Sequence, residues 1–397
     1  MKAATLKLCL PVIAMTAQQT AANLVIPPFL DSLQYPVSAI GSLISLAPVL
    51  ALAARLPSGL VYRRERARML MLAALSVMTL CTFLYSYAVA PLSFALVQAL
   101  YGFGYGAVTT IYMAFFVEAL PADEDRHHAM GYYAGCLAGG YSAGGFAAGF
   151  VADKLGYTAT FKFASLLGLV CLALLFFLRP AAPKPGEASG KQESAKLVCA
   201  ALKSILEPKT ATIMVVALFL NLLHQMGNSL FPLYGLAVGL SLTQVGSIRA
   251  LYSLCNAVTR PFSGTVVKRV GHSSLSRAGL PLQSVFLMLV PFFHDFASLL
   301  TVFLLAGFLR AVVIVANTIS MVEDVDDTRV SRGVISGIYN AAGDIGNILG
   351  PSAGGLIASF TGIAHLFLVG PAITVALFFL SLWACRFVGK SVGLRHS

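Results

Sequence analysis

The chain is 397 residues long, 58% hydrophobic and only 11% charged, with a mean hydropathy of +0.82. A soluble domain carries roughly 25% charged residues, so most of this chain has lipid as its solvent and a soluble fold is excluded. A formal net charge of +11 would suggest a nucleic-acid partner in a soluble protein, but here the basic residues fall where a membrane has its rims.

Apolar stretches of about 20 residues, the length that crosses a bilayer, predict twelve helices, over 8–30, 38–61, 69–88, 90–118, 129–151, 157–178, 211–238, 243–267, 278–294, 297–321, 333–358 and 363–386. The first follows Lys2 and Lys7 as a signal peptide does, but its run is too long and carries Gln18, Gln19 and Asn23, so it is expected to be retained as a span. Between the sixth and seventh spans, Arg179 to Lys209 mixes Pro, Gly and charge, the composition of a flexible linker. Within it, Leu197 to Leu206 predicts a short amphipathic helix on the membrane surface. The expected organisation is a six-helix half over 1–178, a linker over 179–210 and a second six-helix half over 211–397. Every other connection is short, leaving no room for a soluble catalytic domain.

Twenty-one of the 27 Lys and Arg fall on the side that holds both termini and the linker. Lys154 and Lys162 fall on the other side, and Arg55, Arg249, Arg260 and Arg310 lie inside helices. Basic residues stay on the cytoplasmic side of a membrane, so the termini are expected in the cytoplasm and the protein in the cell (inner) membrane. Arg249, only a few residues inside the eighth span, is expected to snorkel to the outer headgroups. The seven cysteines show no CxxC or Cys/His spacing and read as small buried hydrophobes, so neither a metal nor a cofactor is expected.

The chain is also written twice. Displaced by 205 residues, Asn23 falls on Asn228, Pro27 on Pro232, Gly41 on Gly246, Arg55 on Arg260, Gly59 on Gly264, Arg64 on Arg269 and Glu118 on Glu323. Displaced by 206, Gly144 falls on Gly350, Gly149 on Gly355 and Gly156 on Gly362. Polar and special residues inside apolar segments are rare and costly, so their recurrence marks a duplicated unit.

After the second span the sequence runs Arg55-Leu-Pro-Ser-Gly59-Leu-Val-Tyr-Arg63-Arg64-Glu65-Arg66-Ala-Arg68, and its copy runs Arg260-Pro-Phe-Ser-Gly264-Thr-Val-Val-Lys268-Arg269-Val-Gly271. With the twelve spans and the duplication, this resembles the major facilitator superfamily, whose signature loop has Gly, then Asp four residues later, a basic residue and a second Gly. The resemblance implies an all-α membrane protein of twelve transmembrane helices in two pseudo-symmetric six-helix halves, with spans one, four, seven and ten lining a central cavity. The signature Asp is replaced by Arg63 and Lys268, so Glu118 and Glu323, at the cytoplasmic ends of the fourth and tenth spans, are candidate partners for Arg64 and Arg269. The alternative is that these basic loops only set topology. Gln98 stands where exporters of the family often carry Arg. The small-residue series Gly140 to Gly149 and Gly346 to Gly355 read as packing seams between the halves.

The candidate chemistry falls on Arg310 and Asp344, each about eleven residues from the cytoplasmic end of its span, hence about 16 Å deep and able to pair. An intramembrane charge is functional by default. Asp344 can carry a coupling proton and Arg310 can bind an anionic group, or the two can form a permanent structural pair. Around them stand Gln19, His224, Gln225 and Asn317 on cavity spans, with Asn340 and Asn347 on the face of Asp344. Asn23 and Asn228, each four residues before a proline, are expected to satisfy backbone freed by the kinks. Tyr101, Tyr105 and Tyr112 form one helix stripe, which can be core or an aromatic wall.

Nothing in the chain assembles a nucleophile, a base and an oxyanion donor, so an enzyme is not expected. The expected function is proton-coupled efflux of a small organic solute by a monomer in the lipid bilayer, without nucleic acid. Uptake or exchange of an organic anion, a carboxylate or siderophore-like compound, is the alternative. A non-transporting membrane sensor of the same fold is a third reading.

Overall fold

The computed structural model describes residues 3–120, 126–178, 208–323 and 332–393. Helices α1 (Ala3–Ser32), α2 (Val37–Val61), α3 (Arg64–Leu84) and α4 (Pro91–Ala119) are followed by one helical run, Arg126–Phe177. That run breaks at Gly156 into α5 (126–155) and α6 (157–177). Then come α7 (Pro208–Ala237), α8 (Leu242–Val270), α9 (His272–Met288) with a short 3-10 turn at Val290–Phe292, α10 (Phe296–Glu323), α11 (Arg332–Thr361) and α12 (Ile363–Gly393). Among the described residues there is no strand. The linker and the surface helix expected within 179–210 lie largely outside the described residues.

Nine helical runs among the described residues are long and apolar enough to cross a membrane, one of them the run that holds both α5 and α6. The long helices outside that set, α8 and α11, are the ones that carry Arg249, Arg260 and Asp344. Their polarity follows from facing a cavity rather than lipid.

The link between α2 and α3 is only Tyr62 and Arg63, and Arg63, in extended backbone (φ −139°, ψ 134°), starts α3. Arg64, Arg66 and Arg68 are therefore on the first turns of a helix, not in a loop as the sequence suggested. Glycine punctuates the second copy and both helical hairpins. Gly271 (φ 94°), Gly156 (φ 82°) and Gly362 (φ 83°) adopt left-handed backbone with open space around the missing side chain, so the conformation rather than packing requires glycine.

The sequence repeat reappears as repeated contacts. α2 packs along α11 and α5 along α8. A Cβ on Gly41 would lie 2.3 Å from the Pro351 carbonyl oxygen, and one on Gly246 would lie 2.4 Å from that of Gly145. A Cβ on Gly355 would lie 2.7 Å from the Val37 carbonyl, and one on Gly149 would lie 2.4 Å from that of Leu242. Each second contact is the first displaced by 205 or 206 residues. Gly140 and Gly144 instead pack on Ile13 and Ala17 of α1, and Gly346 and Gly350 on Leu218 and Leu222 of α7, all within one set of six helices. This corrects the expectation that the whole glycine series lies between the sets; only the residues on the opposite face do.

Toward the end of the bundle away from the termini, hydrogen bonds join the two sets of helices. Asp153 at the end of α5 accepts from the main-chain N–H of Leu242 (2.8 Å) and Thr243 (2.7 Å), the free amides at the start of α8. Ser352 on α11 bonds Ser45 on α2 through both its amide (3.1 Å) and its hydroxyl (2.7 Å).

Candidate functional site

A cavity of about 180 Å³ lies where α1, α2 and α4 face α7, α8 and α11. Its wall carries Gln19, Asn23, Arg55, Gln98, Tyr101, Tyr105, Gln225, Asn228, Arg249, Asp344 and Asn347. Three polar atoms on this wall, Gln19 Oε1, Tyr101 Oη and Arg249 Nη1, are buried without a protein hydrogen-bond partner. Buried polar groups in proteins are almost always paired, so these atoms mark a surface shaped to receive something.

Asp344 forms an ion pair with Arg55 of α2, and the Asn347 side chain donates to the same carboxylate. The expected Asp344–Arg310 pair does not form. Arg310, 7% exposed, donates instead to the Leu220 carbonyl (2.7 Å) and to Asn221 Oδ1 (2.8 Å). An equal count of residues from a helix end leaves open the direction in which each helix face points.

Arg249 also departs from expectation. It is buried, donates from Nε to Asn228 Oδ1 (3.0 Å) and faces the cavity instead of snorkelling outward. Asn228 is thereby engaged with a guanidinium, and Asn23 lines the cavity, so neither has the purely backbone role expected from its proline. Gln98 accepts from the Tyr85 hydroxyl and donates to the Ile44 carbonyl (3.3 Å). Of the tyrosine stripe, Tyr101 and Tyr105 reach the cavity while Tyr112 is core, donating to the Leu8 carbonyl.

Next to this cavity a second one, of about 210 Å³, opens between α5 and α8, lined by Ala138, Tyr141, His224, Tyr252, Asn256, Arg260 and Arg310 among others. Arg260 Nε donates to Asn256 Oδ1 (3.2 Å), and the His224 ring lies 3.1 Å from the Tyr252 hydroxyl and stacks on its ring. Asn317 reaches neither cavity. It is wholly buried, accepting from Ser276 (2.8 Å) and donating to the Ile213 carbonyl (3.1 Å), and so ties α10 to α9 and α7. Asn340 is exposed and outside both cavity walls. Gln18 bonds Thr82 (3.1 Å) inside the first six helices.

At the terminus-side rim, the Glu118 carboxylate accepts from the Tyr62 hydroxyl (2.8 Å), and Arg64 Nη2 lies 3.5 Å from the Glu118 main-chain oxygen. Burial, with the bond to Glu118, holds the Tyr62 hydroxyl well above its ordinary pKa. Gly59 and Gly264 have open space where a side chain would stand. Arg63, Lys268 and Arg269 are exposed, and the Glu323 side chain lies outside the described residues. Arg55 and Arg249 were the site residues hardest to assign from sequence. The signal for Arg55 was the register of Gly41 with Gly355, which brings α2 against α11.

A polar cavity at the crossing of two related sets of membrane helices defines a solute transporter. The chain belongs to the Major Facilitator Superfamily, whose family model matches residues 8–247 and 226–393. Its fold is similar to the nucleoside transporter NupG (TM-score 0.79, 13% identity, 98% of this chain and 100% of that one). It is also similar to a bacterial homologue of the human lysosomal transporter Spinster in an inward-facing, unoccupied conformation (TM-score 0.73, 14% identity, 97% and 95%). In sequence it is similar to the quinolone resistance protein NorA of Staphylococcus aureus, 25% identical over 154 residues, a match that spans 38% of each chain.

Proposed function

We propose that this chain is a proton-coupled secondary transporter that exports a small organic solute through the central cavity by alternating access. The observation that carries this reading is the Arg55–Asp344 pair. It joins α2 of the first six helices to α11 of the last six, and it stands on the cavity wall beside unpartnered polar atoms. A proton arriving on Asp344 cancels one charge of the pair and frees Arg55, so protonation and the separation of α2 from α11 are linked events. Export is supported by the similarity to NorA, a quinolone resistance protein. With the termini in the cytoplasm, the end toward which Asp153 and Ser352 join the two sets of helices is the outer one, and in this reading those bonds hold it closed.

The test uses everted membrane vesicles that hold an acid-inside gradient reported by a quenched dye. Added drugs and carboxylates are expected to dequench the dye in vesicles with the wild-type chain and not with Asp344→Asn. Dequenching that is equal in the two would remove Asp344 from coupling, and none with well-inserted wild-type protein would reject proton-coupled export.

A further inference from the structure

The two cavities are copies of one another. Displacing the central cavity's wall by the sequence repeat turns Gln19 into His224, Ala51 into Asn256, Arg55 into Arg260 and Tyr105 into Arg310, and each of these lines the second cavity. The acid does not survive the operation. Asp344, displaced by 206, is Ala138, which lines the second cavity on the wall it shares with Arg260.

The first copy thus holds two cations, Arg55 and Arg249, with one carboxylate, which pairs with Arg55, and the second holds two cations with no carboxylate. Arg260 and Arg310 have only neutral acceptors for the hydrogen bonds described, Asn256, Asn221 and the Leu220 carbonyl. A charged side chain inside a bilayer is costly, and pairing with an anion is how such a cost is offset. Arg249, on the wall of the neighbouring cavity, adds a third guanidinium, with its Nη1 unpartnered. Among the described residues, Asp344 is the acid on either cavity wall.

We infer that the second cavity binds the carboxylate of the transported solute, which supplies to Arg260 and Arg310 the negative charge that Asp344 supplies to Arg55. This rests on the transporter reading and assigns its substrate class, a small organic anion bearing a carboxylate. A guanidinium matches a carboxylate with two parallel N–H···O bonds. At about 210 Å³ the cavity has room for that group and the few carbons beside it.

The experiment measures the thermal unfolding midpoint of the full chain in neutral detergent against rising citrate, inorganic phosphate, glucose and tetraphenylphosphonium. Citrate is expected to raise the midpoint and glucose and tetraphenylphosphonium to leave it unchanged. Ala138→Asp places the missing acid in the protein. It is expected to raise the midpoint without ligand and to weaken the citrate response about ten- to a hundredfold, the loss of a charged hydrogen-bonded contact. Arg260→Gln is expected to weaken the response similarly and decides the matter should Ala138→Asp not fold. A citrate response unaltered by Arg260→Gln or by a folded Ala138→Asp overturns the inference. So does a response to inorganic phosphate equal to that to citrate, or protection that requires phosphatidylglycerol in the detergent, since the bound group would then be an inorganic ion or a lipid headgroup. Counterflow in proteoliposomes separates the two levels. Exchange of solutes of any charge, with citrate protection indifferent to positions 138 and 260, sinks the substrate class alone, whereas no exchange at all sinks the transporter reading with it.

Discussion

The Arg55 guanidinium on α2 and the Asp344 carboxylate on α11 form an ion pair across the crossing between the first six and the last six helices. The Asp344 side chain is 16% exposed and that of Arg55 is 38% exposed, and both stand on the wall of the central cavity.

Removing one partner leaves the other charge uncompensated on a partly dry wall. Arg55→Gln is expected to lower stability by about 1–3 kcal/mol, and Arg55→Gln combined with Asp344→Asn is expected to recover most of it. Thermal unfolding of the two single variants and the double variant completes the cycle. Additive losses would mean that the two residues do not couple.

The glycine crossings predict a contrast between positions. Gly246→Ala places a methyl group 2.4 Å from the Gly145 carbonyl, and Gly41→Ala places one 2.3 Å from that of Pro351. Backbone atoms do not yield as a side chain does, so each substitution is expected to cost about 1–3 kcal/mol and to push the paired helices apart. Gly264→Ala meets open space and is expected to be tolerated. Unfolding midpoints and transport of the three variants check this, and equal effects would discount the crossings.

Asp153 ties the end of α5 to the first amides of α8, beside the capping box of Ser241 and Gln244. Asp153→Ala removes acceptors for two main-chain N–H groups and is expected to cost about 0.5–2 kcal/mol of the sealed state. A cysteine introduced at Asn23 is then expected to react faster with a membrane-impermeant maleimide added from the far side. Unchanged labelling would show that Asp153 is not part of that seal.

Asn317, taken from the sequence as a cavity residue, is expected to act through structure. Asn317→Ala leaves the Ser276 hydroxyl and the Ile213 carbonyl without their partner in a wholly buried place, a loss of about 1–3 kcal/mol. Solute preference among the molecules that remain if folded is expected to be that of the wild type. A changed preference would return Asn317 to the substrate path.

The helices and their duplication were legible because apolar length and recurrent polar residues are properties of the chain itself. Gly156 and Gly362 recur in sequence and adopt nearly the same left-handed φ, and Val37 and Leu242 repeat a glycine contact at the same offset. What was not legible is the rotation of each helix. Arg310 and Asp344 stand at similar distances along their helices from the same end but face different cavities, and Arg249 stands near a helix end yet turns inward to Asn228. Partner choice depends on which helices cross, and the small-residue spacing of α2 and α11 was the one local sign of it.

The most direct measurement compares wild type and Asp344→Asn in proteoliposomes, using a solute that dequenches the dye in everted vesicles, with and without a pH gradient. The account predicts that the variant keeps solute exchange in the absence of a gradient and loses all accumulation driven by the gradient. Accumulation that still follows the pH gradient in Asp344→Asn would contradict a coupling role for the Arg55–Asp344 pair.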